Sequence, residues 1–147
     1  MAGRFEGTTV IDRPIEEVFA YLADGTNDLK FSPRVQEMAK GTDGPTGVGT
    51  VYKSTVKDAG MTTKREFKIT EFEQPTKIRW AEVSKNQVTA PEGGYDLAPE
   101  GNGTRVTVYN VLEGHGIGKL FAPLALRSAR KGADQFAQSI KTAVEAS

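Results

Sequence analysis

Two periodicities divide the chain. From Leu120 to Glu145, apolar residues return at steps of three and four: Phe121 and Leu124, then Phe136, Ile140 and Val144. That spacing predicts one long amphipathic helix with a single inward stripe. Its other face carries Arg127, Arg130, Lys131, Asp134, Gln138 and Lys141. About 25 residues at a rise of 1.5 Å give a helix about 37 Å long, enough to cross a small domain. Pro123 suits a first turn, which sets the start near Phe121. The middle of the inward face is small: Ala125, Ser128, Ala129, Gly132 and Ala133. Such residues either let the backbone approach a sheet or leave room for something else. On these residues alone both readings stand, although Gly inside a helix costs about 1 kcal/mol against Ala.

Upstream, the pattern is mostly period two. Phe5 to Ile11 alternates and predicts a first strand. Asp12 is placed to cap a following helix, and Pro14 suits its first turn. Ile15, Val18, Phe19 and Leu22 then mark one face of a short helix, and Asn27 to Phe31 predicts a further helical turn. Strands follow at Val35–Lys40, Thr50–Lys57, Met61–Phe72, Lys77–Lys85, Tyr95–Ala98 and Thr104–Leu112. Turn residues at Asp58-Ala59-Gly60, Gln74-Pro75-Thr76 and Gly101-Asn102-Gly103 join several of them as hairpins, so the sheet is predicted antiparallel. Gly41 to Gly49 superficially resembles a phosphate loop, but it lacks the Gly-Lys-Ser/Thr ending and the following helix, and reads as a turn.

One consistent strand phase turns Tyr52, Ser54 and Val56 inward. It does the same for Met61, Thr63, Arg65, Phe67 and Ile69, and for Ile78, Trp80, Glu82 and Ser84. Tyr95, Leu97, Val106, Val108, Asn110 and Leu112 complete the set. Arg65 is placed between Tyr52 and Ser84, with Glu82 diagonally adjacent. A buried charge must be paired or solvated. The pair is therefore either a polar group inside a cavity, able to orient a ligand, or a strand end that reaches water. Asn110, among apolar neighbours, needs a partner, which a ligand or buried water could supply.

Composition narrows the chemistry. The 147 residues carry 19 basic and 19 acidic side chains, which argues against a general nucleic-acid binder. There is no Cys and one His, His115, so thiolate chemistry and multi-His metal sites are not expected. No apolar run approaches the roughly 20 residues of a membrane span, and the first residues lack a signal-peptide core. A soluble, cytoplasmic protein without metal or cofactor is the expectation.

Five stretches resemble the START-like (SRPBCC) superfamily, the helix-grip fold. They are Val10-Ile11-Asp12-Arg13-Pro14-Ile15-Glu16-Glu17-Val18-Phe19, Gly47-Val48-Gly49-Thr50, the Ile69–Trp80 hairpin with Pro75, and Gly103-Thr104-Arg105-Val106-Thr107, closed by the long helix. The nearest likeness is to the bacterial polyketide cyclase/dehydrase-like branch. The resemblance implies an α+β fold: a strand, two short helices and a curved antiparallel sheet gripping the C-terminal helix. It also implies one START-like ligand-binding domain over residues 1–147, and a cavity between sheet and helix. The segment Val111–Lys119, with Gly114, Gly116 and Gly118, is then a pliant loop at its mouth.

The expected cavity residues are Tyr52, Arg65, Phe67, Trp80, Glu82, Tyr95, Val108, Asn110, Ser128, Gly132 and Phe136. The expected function is binding of a hydrophobic small molecule such as a lipid, polyketide or isoprenoid, by a monomer or homodimer. A cyclase or dehydrase would need an acid or base, with Arg65, Glu82, Tyr52, Tyr95, Tyr109 and His115 as candidates. A toxin-like or partner-binding module would use Lys119, Arg127, Arg130 and Lys131. Fold alone does not decide among them.

Overall fold

The computed structural model describes residues 2–58 and 60–147. The element order is β1 (Ala2–Ile11), α1 (Ile15–Ala23), a 3-10 helix (Gly25–Lys30), β2 (Val35–Lys40), β3 (Val51–Asp58), β4 (Met61–Glu73), β5 (Lys77–Glu82), β6 (Val88–Glu100), β7 (Gly103–Gly114) and α2 (Gly118–Glu145). All seven strands form one antiparallel sheet in the order β1-β7-β6-β5-β4-β3-β2. The sheet curves around α2, which is the helix-grip fold.

Alternation sets which face looks inward, and pairing across strands agrees with it. Phe67 stands opposite both Tyr52 and Glu82, Trp80 opposite Ile69 and Gly93, and Asn110 opposite Gly93 and Phe5. Arg65 pairs with Ser54, not Tyr52, so the β3–β4 register differs by two residues from the expected one. A two-residue shift keeps every side chain on its face. Met61 is a correction: it lies at the hairpin tip and is 68% exposed. Ala59 of the same turn lies outside the described residues.

The strand expected at Tyr95–Ala98 is longer in the structure: β6 spans Val88–Glu100. The strand runs from Val88, and Pro91 is accommodated in a register irregularity between Thr89 and Glu92. The glycines are there because their neighbours fill the space a Cβ would take. At Gly93 it would lie 2.3 Å from Trp80 Nε1, and at Gly94 2.6 Å from an Arg79 nitrogen.

Two helix starts also differ from expectation. The residue before α1 is Pro14, with no side-chain cap, and Asp12 instead donates its backbone N–H to Glu145 at 2.9 Å. Helix α2 begins at Gly118, three residues early, with Pro123 inside it. Tight turns from His115 to Gly118, Gly116 to Lys119 and Ile117 to Leu120 start the helix ahead of the proline.

Helix α2 packs mainly on β1 and then β7. Close approach is made by glycine in the strand: a Cβ on Gly7 would sit 2.2 Å from the Ala133 carbonyl oxygen. Gly118, Ala122, Ala133 and Ala137 are the buried small residues of the helix. The core gathers at the α1 end of the groove, where Ile140 and Val144 join Val18, Phe19, Leu22, Ile78, Leu97 and Val106. Phe19 meets Phe72 edge to face at 5.1 Å, and Phe136 meets Phe31 at 5.8 Å. Arg13 and Asp12 tie the carbonyl and carboxylate of Glu145 to the end of β1.

Candidate functional site

The eleven expected cavity residues separate into three groups. Tyr52, Tyr95 and Val108 are each 5% exposed, and with the part-buried Phe136 they belong to the packed core or its margin. The Tyr52 hydroxyl shares a hydrogen bond with Thr46 Oγ1 at 2.6 Å and donates to the Ala23 carbonyl at 3.3 Å. Tyr95 meets Trp80 edge to face at 5.0 Å. Burial holds the Tyr95 phenol well above its ordinary range, with the nearby Asp28 charge as the second cause.

Phe67, Trp80 and Asn110 share the inner face and are only part-buried. Asn110 has a partner within the protein, since Trp80 Nε1 donates to its Oδ1 at 2.9 Å. The acceptor that could have signalled a ligand or water is thus met from β5, across Gly93 of the intervening β6. Helix residues Ser128 and Gly132 are exposed. Gly132 stands one turn before Phe136, on the same stripe. A Cβ added to Gly132 would meet no atom within 4 Å, in contrast to Gly7 across from Ala133. The small residues of α2 therefore divide: Ala133 is a contact, and Gly132 borders open space.

Arg65 and Glu82 form a single polar station on the inner face. Arg65 Nη1 donates to both carboxylate oxygens of Glu82, at 2.9 and 3.1 Å, and to the Val88 carbonyl at 2.9 Å. Glu82 also accepts from Ser84 Oγ at 2.6 Å, and from Asn86 Nδ2 and the Ala90 N–H, each at 2.9 Å. Its side chain is fully buried, whereas that of Arg65 is 24% exposed. Glu82 is thus a saturated acceptor that joins the end of β5 to the start of β6. Arg65 is the half of the pair that still meets solvent.

Two catalytic candidates lie elsewhere. Tyr109 faces outward between the guanidinium groups of Arg4 at 3.9 Å and Arg79 at 5.0 Å, and its hydroxyl donates to Glu92 at 2.5 Å. Burial first, then the Glu92 hydrogen bond, push that phenol up to about 12. His115 hydrogen-bonds Thr89 Oγ1 at 2.8 Å, and its side chain is 48% exposed. Its loop is less pliant than expected. Added Cβ atoms at Gly114 and Gly118 would strike backbone, and only Gly116 takes a positive φ, +58°. Gly118 is small because the Gln87 carbonyl passes close by.

Sequence reasoning missed Asp28. It sits in the 3-10 helix, where burial and then the Asp24 charge push its carboxyl up to about 7. It is near enough to Tyr21 and Tyr95 for its charge to raise both phenols. The Tyr21 hydroxyl is buried without a hydrogen-bond partner among the described residues. A lone Asp in a polar turn gives no period by which to find it.

Concave surface occurs in two places. A groove of about 770 Å³ runs between the 3-10 helix and the C-terminal half of α2, bordered by Tyr21, Phe31, Gln135 and Ser139. A pocket of about 130 Å³ lies among Gly3, Leu112, Ala122 and Leu126. Neither takes in Phe67, Trp80 or Asn110. No described helix is long and apolar enough to cross a membrane.

Comparison with known proteins agrees with this architecture. No curated protein sequence matches the chain. Among solved structures, TTHA0849 from Thermus thermophilus superposes with a TM-score of 0.81 at 18% identity, covering 98% of each chain. The Zhui aromatase/cyclase from Streptomyces sp. R1128 gives 0.78 at 14% identity, covering 99% of this chain and 94% of its own. A START superfamily protein from Mycobacterium smegmatis gives 0.78 at 15%, covering 97% of each. At these identities the likeness speaks for the fold. The sequence itself goes further: residues 2–145 match the description "Polyketide cyclase / dehydrase and lipid transport", and the chain belongs to that family within the START-like fold.

Proposed function

We propose that this protein is a cytoplasmic, bacterial-type binder of a hydrophobic small molecule of lipid, polyketide or isoprenoid character. The ligand would lie between the inner face of β4–β7 and the flank of α2 that carries Ser128 and Gly132. The observation that carries the reading is the open space at Gly132, one turn from a phenylalanine that packs inward. A pocket of this kind needs mostly apolar walls and a few polar groups to fix orientation. Phe67 and Trp80 supply the apolar surface. Arg65 supplies the polar end, since its hydrogen bonds among the described residues all leave from Nη1. Its remaining N–H groups are then available to a carboxylate, phosphate or carbonyl oxygen.

The test is native mass spectrometry of protein purified from its own host, followed by solvent extraction. A co-purifying apolar molecule lost in Gly132→Leu supports the reading. A molecule retained unchanged by that variant counts against this location.

A second reading, cyclase or dehydrase chemistry, has one observation of its own. Asp28 is a carboxyl near neutrality beside two tyrosines, a suitable acid or base. Asp28→Asn would then abolish turnover of a polyketide substrate while leaving its binding intact.

A further inference from the structure

The first two turns of α2 carry an unusual surface. Ile117, Leu120, Phe121 and Leu124 are 60, 75, 55 and 69% exposed. They fall at i, i+3, i+4 and i+7, so they form one exposed stripe, and Phe121 and Leu124, expected on the inward face, are corrections to that expectation. The stripe runs on into charge: Leu120, Leu124, Arg127 and Lys131 follow at steps of four, three and four. From Gly118 to Ala133 the helix holds four cations, Lys119, Arg127, Arg130 and Lys131, and no acid before Asp134. The whole chain is neutral, so this is a local segregation of charge. Arg130 donates to the Arg4 carbonyl, whereas Lys119, Arg127 and Lys131 make no ion pair among the described residues.

We infer that this segment docks the protein on an anionic lipid bilayer surface. Exposed Leu and Phe followed by unpaired cations on one helix face are the pattern of an interfacial helix. Its apolar end enters the headgroup region while Lys and Arg meet lipid phosphates. A second copy of this chain suits the surface poorly, because a two-fold contact centred on Leu120 and Leu124 would offer Arg127 and Lys131 no acid from the same segment of the partner, which has none between Gly118 and Ala133. The docking needs no cargo in the groove.

Co-flotation with vesicles tests it. Purified full-length protein is expected to float with equimolar phosphatidylcholine/phosphatidylglycerol vesicles, not with phosphatidylcholine alone, and to be released by high salt. The double variants L120S/L124S and R127Q/K131Q are expected to lose at least tenfold in partitioning, with unchanged circular dichroism and melting. Absence from anionic vesicles would overturn the inference, as would equal flotation of the double variants. A dimer dissolved by L120S/L124S, or an acidic protein partner released by the same changes without vesicles, would assign the surface to protein contact and overturn it too.

Discussion

The two halves of α2 are built from the same kinds of residue and do opposite things. In the C-terminal half, Ala133, Ala137, Ile140 and Val144 are each at most 5% exposed, locked onto β1 and the α1 end of the sheet. In the N-terminal half, Leu120, Phe121 and Leu124 stand more than half exposed. Small residues differ by face: Ala133 meets the strand backbone while its neighbour Gly132 faces space. One end of the groove is thus filled by the protein's own side chains. The other keeps Phe67, Trp80 and Asn110 part-exposed. A grip fold can hold one face of its helix along the whole length, as Gly118 and Ala122 are buried too, and leave the other face open towards the N-terminal end.

The sharpest way to break this comparison is at the closed end. Ile140→Ala is expected to lose about 2–5 kcal/mol of stability, since Ile140 is fully buried in the core. Denaturant unfolding reads it, and a loss below 1 kcal/mol would mean that the closed end is not the anchor. Next comes the polar station. Glu82→Ala leaves Arg65, Ser84, Asn86 and the Ala90 N–H without their acceptor. About 2–4 kcal/mol should be lost in the same assay, towards the lower end for a buried pair because Arg65 reaches water.

The effect expected at Asp28 depends on pH. Its folded pKa of about 7 lies above the ordinary carboxyl value. Between the two values the native state holds a proton that the unfolded chain has released. The contribution of Asp28 to stability is therefore greatest in acid, falls as pH rises through that window, and levels off above pH 7. Asp28→Asn removes this loss. Its melting temperature relative to the native protein is expected to rise by several degrees from pH 4 to pH 8. A constant difference would show that Asp28 titrates normally.

Much of this comparison can be read in the sequence, and the remainder has physical causes. Strand faces are legible because alternation and pairing constrain each other: Tyr52, Phe67 and Glu82 share a face under either register. The order of elements is legible from turn residues and from the period change at the last helix. Local rules fail where a distant neighbour decides. Pro91 and Gly93-Gly94 look like strand breakers until Trp80 and Arg79 are seen in the space that side chains would fill. Pro123 looks like a helix start until the preceding turns are seen to begin without it. The proximity of Arg65 and Glu82 is legible, but not the three further donors that saturate Glu82. Asp28 could not be found, because its altered carboxyl comes from burial against elements far along the chain.

The central claim is that the flank at Gly132 borders a binding space. Trp80 is the only tryptophan, so energy transfer from it to 1-anilinonaphthalene-8-sulfonate reports an apolar probe at this end of the groove. Native protein and Gly132→Leu would be titrated side by side, with thermal melts of both. The account predicts affinity at least tenfold weaker in the variant. It predicts unchanged or slightly higher stability, since leaving Gly in a helix gains up to about 1 kcal/mol. Equal affinity, or a variant that fails to fold, would contradict it, because Gly132 would then border a closed contact.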